Sequence, residues 1–201
     1  MLGWHFLRED RRLQYPPHTL VEVGQTLTVE PPLKLCTCGL HLSERAIDAL
    51  NYAPGPIVCR VEGSGEILVG DDKAAATKRT VLWMVDATNT LHEFACWCAE
   101  QALLREREAG REPDPRSWAA IETKRRWLRG EATDKELAAA RDAAWAAARD
   151  AARAAAWYAT WYAAWASAWA SAWASAWYAA WDATRDVQNA KLEEMLNELA
   201  G

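Results

Sequence analysis

The stretch WYATWYAAWASAWASAWASAWYAAW, Trp157–Trp181, sets a tryptophan at every fourth position and fills the gaps with alanine, serine, tyrosine and one threonine. It holds no charge, no proline and no glycine. Alanine is the strongest helix former, so the stretch reads as helix. Working outward, the same four-residue unit starts at Arg141, with Trp145, Arg149 and Arg153 in the tryptophan column, and ends at Thr184. Upstream, Thr133-Asp134-Lys135-Glu136 is a capping box, in which the Thr and Glu side chains each satisfy a backbone N–H at a helix start. Downstream there is no proline, and no glycine before Gly201. The expectation is one continuous helix from about 134 to 199, roughly 100 Å long.

A period of four does not match 3.6 residues per turn. Each unit overshoots a full turn by about 40°, so from Trp157 to Trp181 the rings would wind roughly 240° around the axis. Keeping that row on one partner needs right-handed winding, opposite to a heptad coiled coil. Each buried indole removes on the order of 150–250 Å² from water, and seven exposed in a row would be a large apolar patch. A homo-oligomer whose interface holds Trp157, Trp161, Trp165, Trp169, Trp173, Trp177 and Trp181 is the expected way to cover it. Two other readings stay open. The uncharged run Ala154–Trp181 has the length of a membrane span, although tryptophan favours the bilayer interfaces over its centre. The helix could also pack on its own N-terminal domain, and Leu192, Met195, Leu196 and Leu199 carry the amphipathic spacing of either a bundle end or such a dock.

Residues 1–110 read differently. Short apolar runs at Trp4–Leu7, Leu20–Val23, Leu27–Val29, Ile57–Val61, Glu66–Val69 and Thr80–Val85 suggest strands. Gly63-Ser64-Gly65 reads as a hairpin turn, and Asp71-Asp72 after Gly70 as a second turn. Ser43 is placed to cap a short helix through Leu50, stopped by Pro54-Gly55-Pro56. A helix is expected over 88–108, ending at Gly110. Asp114-Pro115 should open another, running to Arg129 and stopping at Gly130. The expected architecture is α+β: a small mixed domain over 1–110, a linker and helix over 111–130, and the repeat helix over 131–201.

The chain has 201 residues, thirteen of them tryptophan, a net charge of −5 and 25% charged residues. This excludes a disordered acidic tail, a collagen-like fibre and a disulfide scaffold. It also argues against generic nucleic-acid binding, which needs clustered positive charge. The basic stretch Lys124, Arg125, Arg126 and Arg129 around Trp127 is the one local exception, and reads more simply as a solvated helix face. The opening Met1–Leu7 lacks the basic and apolar regions of a signal peptide, so a cytoplasmic location is expected.

Residues able to carry chemistry are few. Cys36, Cys38 and His41, with His92, Cys96 and Cys98, could supply zinc ligands, but the C-x-C spacing is shorter than zinc sites use. An inert structural role is expected, with no metal and no cofactor. No nucleophile signature and no Gly-rich phosphate loop is present, so the chain reads as non-enzymatic.

The elements Trp4-His5-Phe6-Leu7, Leu35-Cys36-Thr37-Cys38-Gly39-Leu40-His41-Leu42-Ser43 and Tyr52-Ala53-Pro54-Gly55-Pro56, with Lys78–Trp83 and Leu91–Phe94, resemble a family of uncharacterised actinobacteriophage and prophage proteins. These join such a domain to an Ala/Trp/Arg-rich tail. The resemblance implies a phage setting, with a host or phage protein as a further partner, and assigns no activity. A second resemblance is to ADP-ribosyltransferase-type folds, where a Gly-x-His element ahead of a short helix and a tyrosine help form a nicotinamide pocket. Gly39, His41, Ala49 and Tyr52 match that arrangement, which implies a nucleotide-like ligand at Gly39, His41 and Tyr52; the alternative makes Gly39 a turn residue and His41 a hydrogen-bonded anchor. The Glu-x-Glu pair of that fold has no counterpart here.

Overall fold

Two thirteen-residue strands, β4 (Ile57–Val69) and β5 (Ala74–Asp86), form the hairpin on which the N-terminal half is built. β1 (Leu2–Leu7) pairs antiparallel with the first part of β4, from Leu7 opposite Ile57 to Leu2 opposite Glu62. β2 (Thr26–Thr28) and β3 (Leu40–Leu42) pair antiparallel with β5, opposite Lys78–Thr80 and Ala74–Ala76 respectively. The result is a five-stranded antiparallel sheet in an α+β chain. Its core gathers Leu7, Val21, Leu42, Ile57, Cys59 and Val61 against Ala74, Ala76 and Val81.

This is a computed structural model, which describes the backbone of residues 1–162 and 170–201 and the side chains outside 151–183. The described residues group into two compact units. One is Met1–Leu91 together with Arg185–Gly201, and the other is His92–Thr184. The grouping takes the last seventeen residues away from the repeat segment and joins them to the N-terminal one.

Two local expectations are corrected in the sheet. Gly63-Ser64-Gly65 is not a turn but lies within β4, where the register against β5 shifts between Ser64 and Ile67. Gly65, at φ 77°, takes the left-handed conformation of a bulge, and the Glu66 N–H bonds to Thr77 Oγ1. Pairing with β5 on both sides of the glycines keeps the strand whole. The turn falls instead at Gly70–Lys73, closed by Gly70 N–H to the Lys73 carbonyl at 2.8 Å. Leu20–Val23 is not a strand either: Leu20 forms one isolated bridge to Arg12, while Val21 is buried in the core.

Ser43 does not cap α1 (Ala46–Leu50). Its backbone exchanges both hydrogen bonds with Trp4, which docks β3's end on β1. The free N–H groups at the start of α1 are met from the far end of the chain. On α5 (Ala170–Ala200), Glu193 Oε1 accepts from Ala46 N–H and Asn189 Oδ1 from Ile47 N–H, each at 3.1 Å. Leu192 and Leu196 of that helix are fully buried. The amphipathic spacing at 192–196 thus serves a dock on the N-terminal unit.

The helices of the second unit start and stop where local chemistry says. α2 covers Thr88–Glu108, and Gly110 follows at φ 78°. α3 (Pro115–Leu128) starts on Asp114, whose carboxylate accepts from Arg116 N–H, and is followed by Gly130 at φ 74°. α4 (Asp134–Tyr162) starts on the capping box, with Glu136 Oε2 accepting from Thr133 N–H and Thr133 Oγ1 from Glu136 N–H. The expected single helix over 134–199 is present as two described helices, α4 and α5, of 29 and 31 residues. Asp134 accepts from the Trp127 indole, Trp127 packs edge-on against His92, and Arg105 of the same α2 donates to Thr184. Among the described residues no helix is long and apolar enough to cross a membrane.

Candidate functional site

His41 sits in the middle of β3, opposite Ala75. The preceding Gly39 has φ 134°, and a Cβ there would come within 2.7 Å of the Ala75 methyl. Only glycine lets the chain enter β3 this close to β5. The ring then turns back on its own loop, and Nε2 accepts from the Cys36 N–H at 3.0 Å. With Nε2 accepting, the neutral ring carries its proton on Nδ1.

Behind His41 lies Arg79 of β5, 2% exposed, whose Nη1 donates to the His41 carbonyl at 2.5 Å. Its Nε has no acceptor among the described residues, and no carboxylate pairs with it there. Burial lowers this guanidinium to about 10. The same cause pushes the neighbouring Cys59 thiol up to about 12 and holds His5 well below its ordinary value, with the charge of Arg79 adding to the His5 shift. Arg79 is therefore a buried cation among neutral neighbours, a costly arrangement that a carboxylate would ordinarily offset.

A second cation, Lys73, also acts on His41. Lys73 lies 3.9 Å from the centroid of the Tyr52 ring and beside the Cys36 thiol, contacts that raise its pKa. Tyr52 donates to Asp72 at 2.5 Å. His41 is lowered first by burial, then by the charges of Lys73 and Arg79, against a smaller opposing backbone hydrogen bond at Gly39. Gly39, His41 and Tyr52 thus belong to one neighbourhood, joined through Lys73 and Cys36. The neighbourhood brings together two cations, an imidazole, a phenol, a thiol and the carboxylate of Asp72, and among the described residues no carboxylate is hydrogen-bonded to His41.

Lys73 and Arg79 escape sequence reasoning. Nothing local marks one basic residue of a strand as buried or one turn lysine as facing an aromatic ring. In β5 Arg79 follows Lys78 and sits between Thr77 and Thr80, so the strand's own sequence does not tell the buried cation from its exposed neighbour.

The other candidates separate. Cys36, Cys38 and His41 fall in one compact unit, and His92, Cys96 and Cys98 in the other. Among the described residues no three His, Cys, Asp or Glu side chains are placed to hold a metal ion. The basic stretch on α3 is largely neutralised from within. Arg125 pairs with Glu93 and Glu100, both at 2.8 Å, Arg129 with Glu122 and Glu131, and Lys124 covers the Trp127 ring. Trp165 and Trp169 lie outside the described residues. The side chains of Trp157, Trp161, Trp173, Trp177 and Trp181 lie outside them too, although those five residues fall within α4 and α5.

Residues 1–93 match a family described as a domain of unknown function, DUF7666. No curated protein and no solved structure matches the chain. The matched segment contains the whole sheet and the His41 neighbourhood, and stops short of the residues 185–201 that pack on it.

Proposed function

We propose that this chain, a DUF7666 domain followed by a helical segment, is a non-enzymatic binding and assembly protein that self-associates through its tryptophan repeat. The observation that carries the reading is the run of seven tryptophans from Trp157 to Trp181 with no charge between them. Burying indoles at about 25 cal/mol per Å² contributes several kcal/mol each, so a second copy of the same helix is a strongly favoured cover. The same reading sets the protein in the cytoplasm of an infected or lysogenic bacterial host. Light scattering on the full chain should report an oligomer, reduced by Trp→Ala substitutions at 169, 173 and 177. A monomer with solvent-exposed indole emission overturns the reading.

A second reading concerns the N-terminal unit: a nucleotide-like, anionic ligand held at Gly39, His41 and Tyr52. It is favoured by Arg79, which donates to the His41 carbonyl, and by Lys73, which lies over the Tyr52 ring. Mass spectrometry of ligand retained through purification tests it, with His41→Ala as control. Equal retention by wild type and variant counts against it.

A further inference from the structure

The two sides of β4 are unequally covered. Its inner side is paired with β5 through Val69, opposite Ala74. Its outer side is paired with β1 only as far as Glu62, and the ladder ends where Met1 and Gly63 exchange backbone hydrogen bonds at 2.8 Å. From Ser64 to Val69 no strand covers that side among the described residues. Ile67, Leu68 and Val69 resume regular pairing with β5 beyond the bulge and remain 37%, 40% and 67% exposed. An apolar strand edge of this kind is a template for a further strand.

Edges left open by design usually carry lysine, which resists pairing. This one carries none. On the open stretch Ser64–Val69 the one charged residue is Glu66, and the turn that follows carries Asp71, Asp72 and then Lys73. Beside the edge runs an open groove of about 500 Å³, lined by Pro31, Pro32, Leu33, Glu66, Ile67 and Leu68. It gives alternate side chains of an added strand an apolar place to lie.

We infer that the outer edge of β4 at Glu66–Val69 is a docking site for an extended, lysine- or arginine-bearing segment of a partner protein, which adds to the sheet as a strand beyond β1. Charge selects this occupant over a second copy. Antiparallel self-pairing about Leu68 would set Glu66 of one copy against Gly70 and beside Asp71 of the other, bringing like charges together. A basic strand meets the same carboxylates favourably, and its alternate apolar residues face Leu68 and the prolines. The inference does not depend on the tryptophan run.

The test uses the full chain and a short soluble peptide alternating valine with lysine, with a glutamate-for-lysine peptide as comparator. Amide exchange at Ile67, Leu68 and Val69 should slow with the lysine peptide and not with the glutamate one. Glu66→Lys, on an exposed side chain, should weaken the lysine peptide by at least about tenfold. Val69→Lys, also exposed, should do the same while leaving the circular dichroism spectrum unchanged. Equal binding of both peptides, or no protection by either, overturns the inference. Protection that rises with protein concentration alone and is lost in Val69→Lys assigns the edge to a second copy, and overturns it too.

Discussion

Arg185 of α5 donates to the carboxylate of Asp48 in α1 at 2.6 Å, a contact between residues 137 apart in the chain. Asp48 is 7% exposed and its next cation, Arg45, stands 3.9 Å away. The pair closes the N-terminal unit with the last residues of the protein.

Removing one partner leaves a nearly buried carboxylate short of its main donor. Arg185→Met should therefore destabilise the N-terminal unit by about 1–3 kcal/mol in urea unfolding. Asp48→Asn should cost a similar amount, and the double variant less than the sum of the two. Strict additivity would mean the contact contributes nothing.

The apolar half of the same dock predicts larger losses. Leu192→Ala and Leu196→Ala each empty a fully buried site and should cost about 2–5 kcal/mol. Leu199, 39% exposed, belongs to the same amphipathic set but should tolerate alanine nearly unchanged. Equal effects at 196 and 199 would show that the dock is absent in solution.

Stability should fall on mild acidification. His5 and His41 are both lowered from the ordinary 6.5 by burial and nearby cations, so below that pH the unfolded chain binds protons that the folded one refuses. Their contribution is fully present above about pH 6.5 and is lost progressively as pH falls toward the depressed folded values. Urea midpoints between pH 7.5 and 5.5 should decline, and His5→Gln should flatten the decline. A midpoint independent of pH in that window contradicts the burial of these rings.

At α4 the reciprocal bonds of Thr133 and Glu136 satisfy donors that a bare helix start leaves free. Thr133→Ala should cost about 1 kcal/mol, and Thr133→Ser should restore most of it. Thermal unfolding followed at 222 nm reads both.

Helix boundaries were legible because their chemistry is local. Asp114 with Pro115, the Thr133 box, and the glycines at 110 and 130 act within a few residues of where they stand. Gly39, His41 and Tyr52 could be singled out from sequence as neighbours of a short helix. Lys73 and Arg79 could not, because their importance comes from strands that approach only after pairing. The glycines at 63 and 65 show the same limit, since a turn and a bulge share a local signature and the partner strand decides between them.

By itself the sequence determined that this is an α+β chain with capped helices and a tryptophan placed every fourth residue along an uncharged run. Backbone propensity and side-chain period act over one or two turns, and both are written in neighbouring residues. Only the tertiary structure decided that residues 185–201 complete the N-terminal unit, that a buried arginine stands behind His41, and that β4 outruns its partner β1. Each is a contact between residues far apart in the chain, formed because burying Leu192 and Leu196, satisfying the amides of α1 and pairing long strands lowers the free energy of the whole unit.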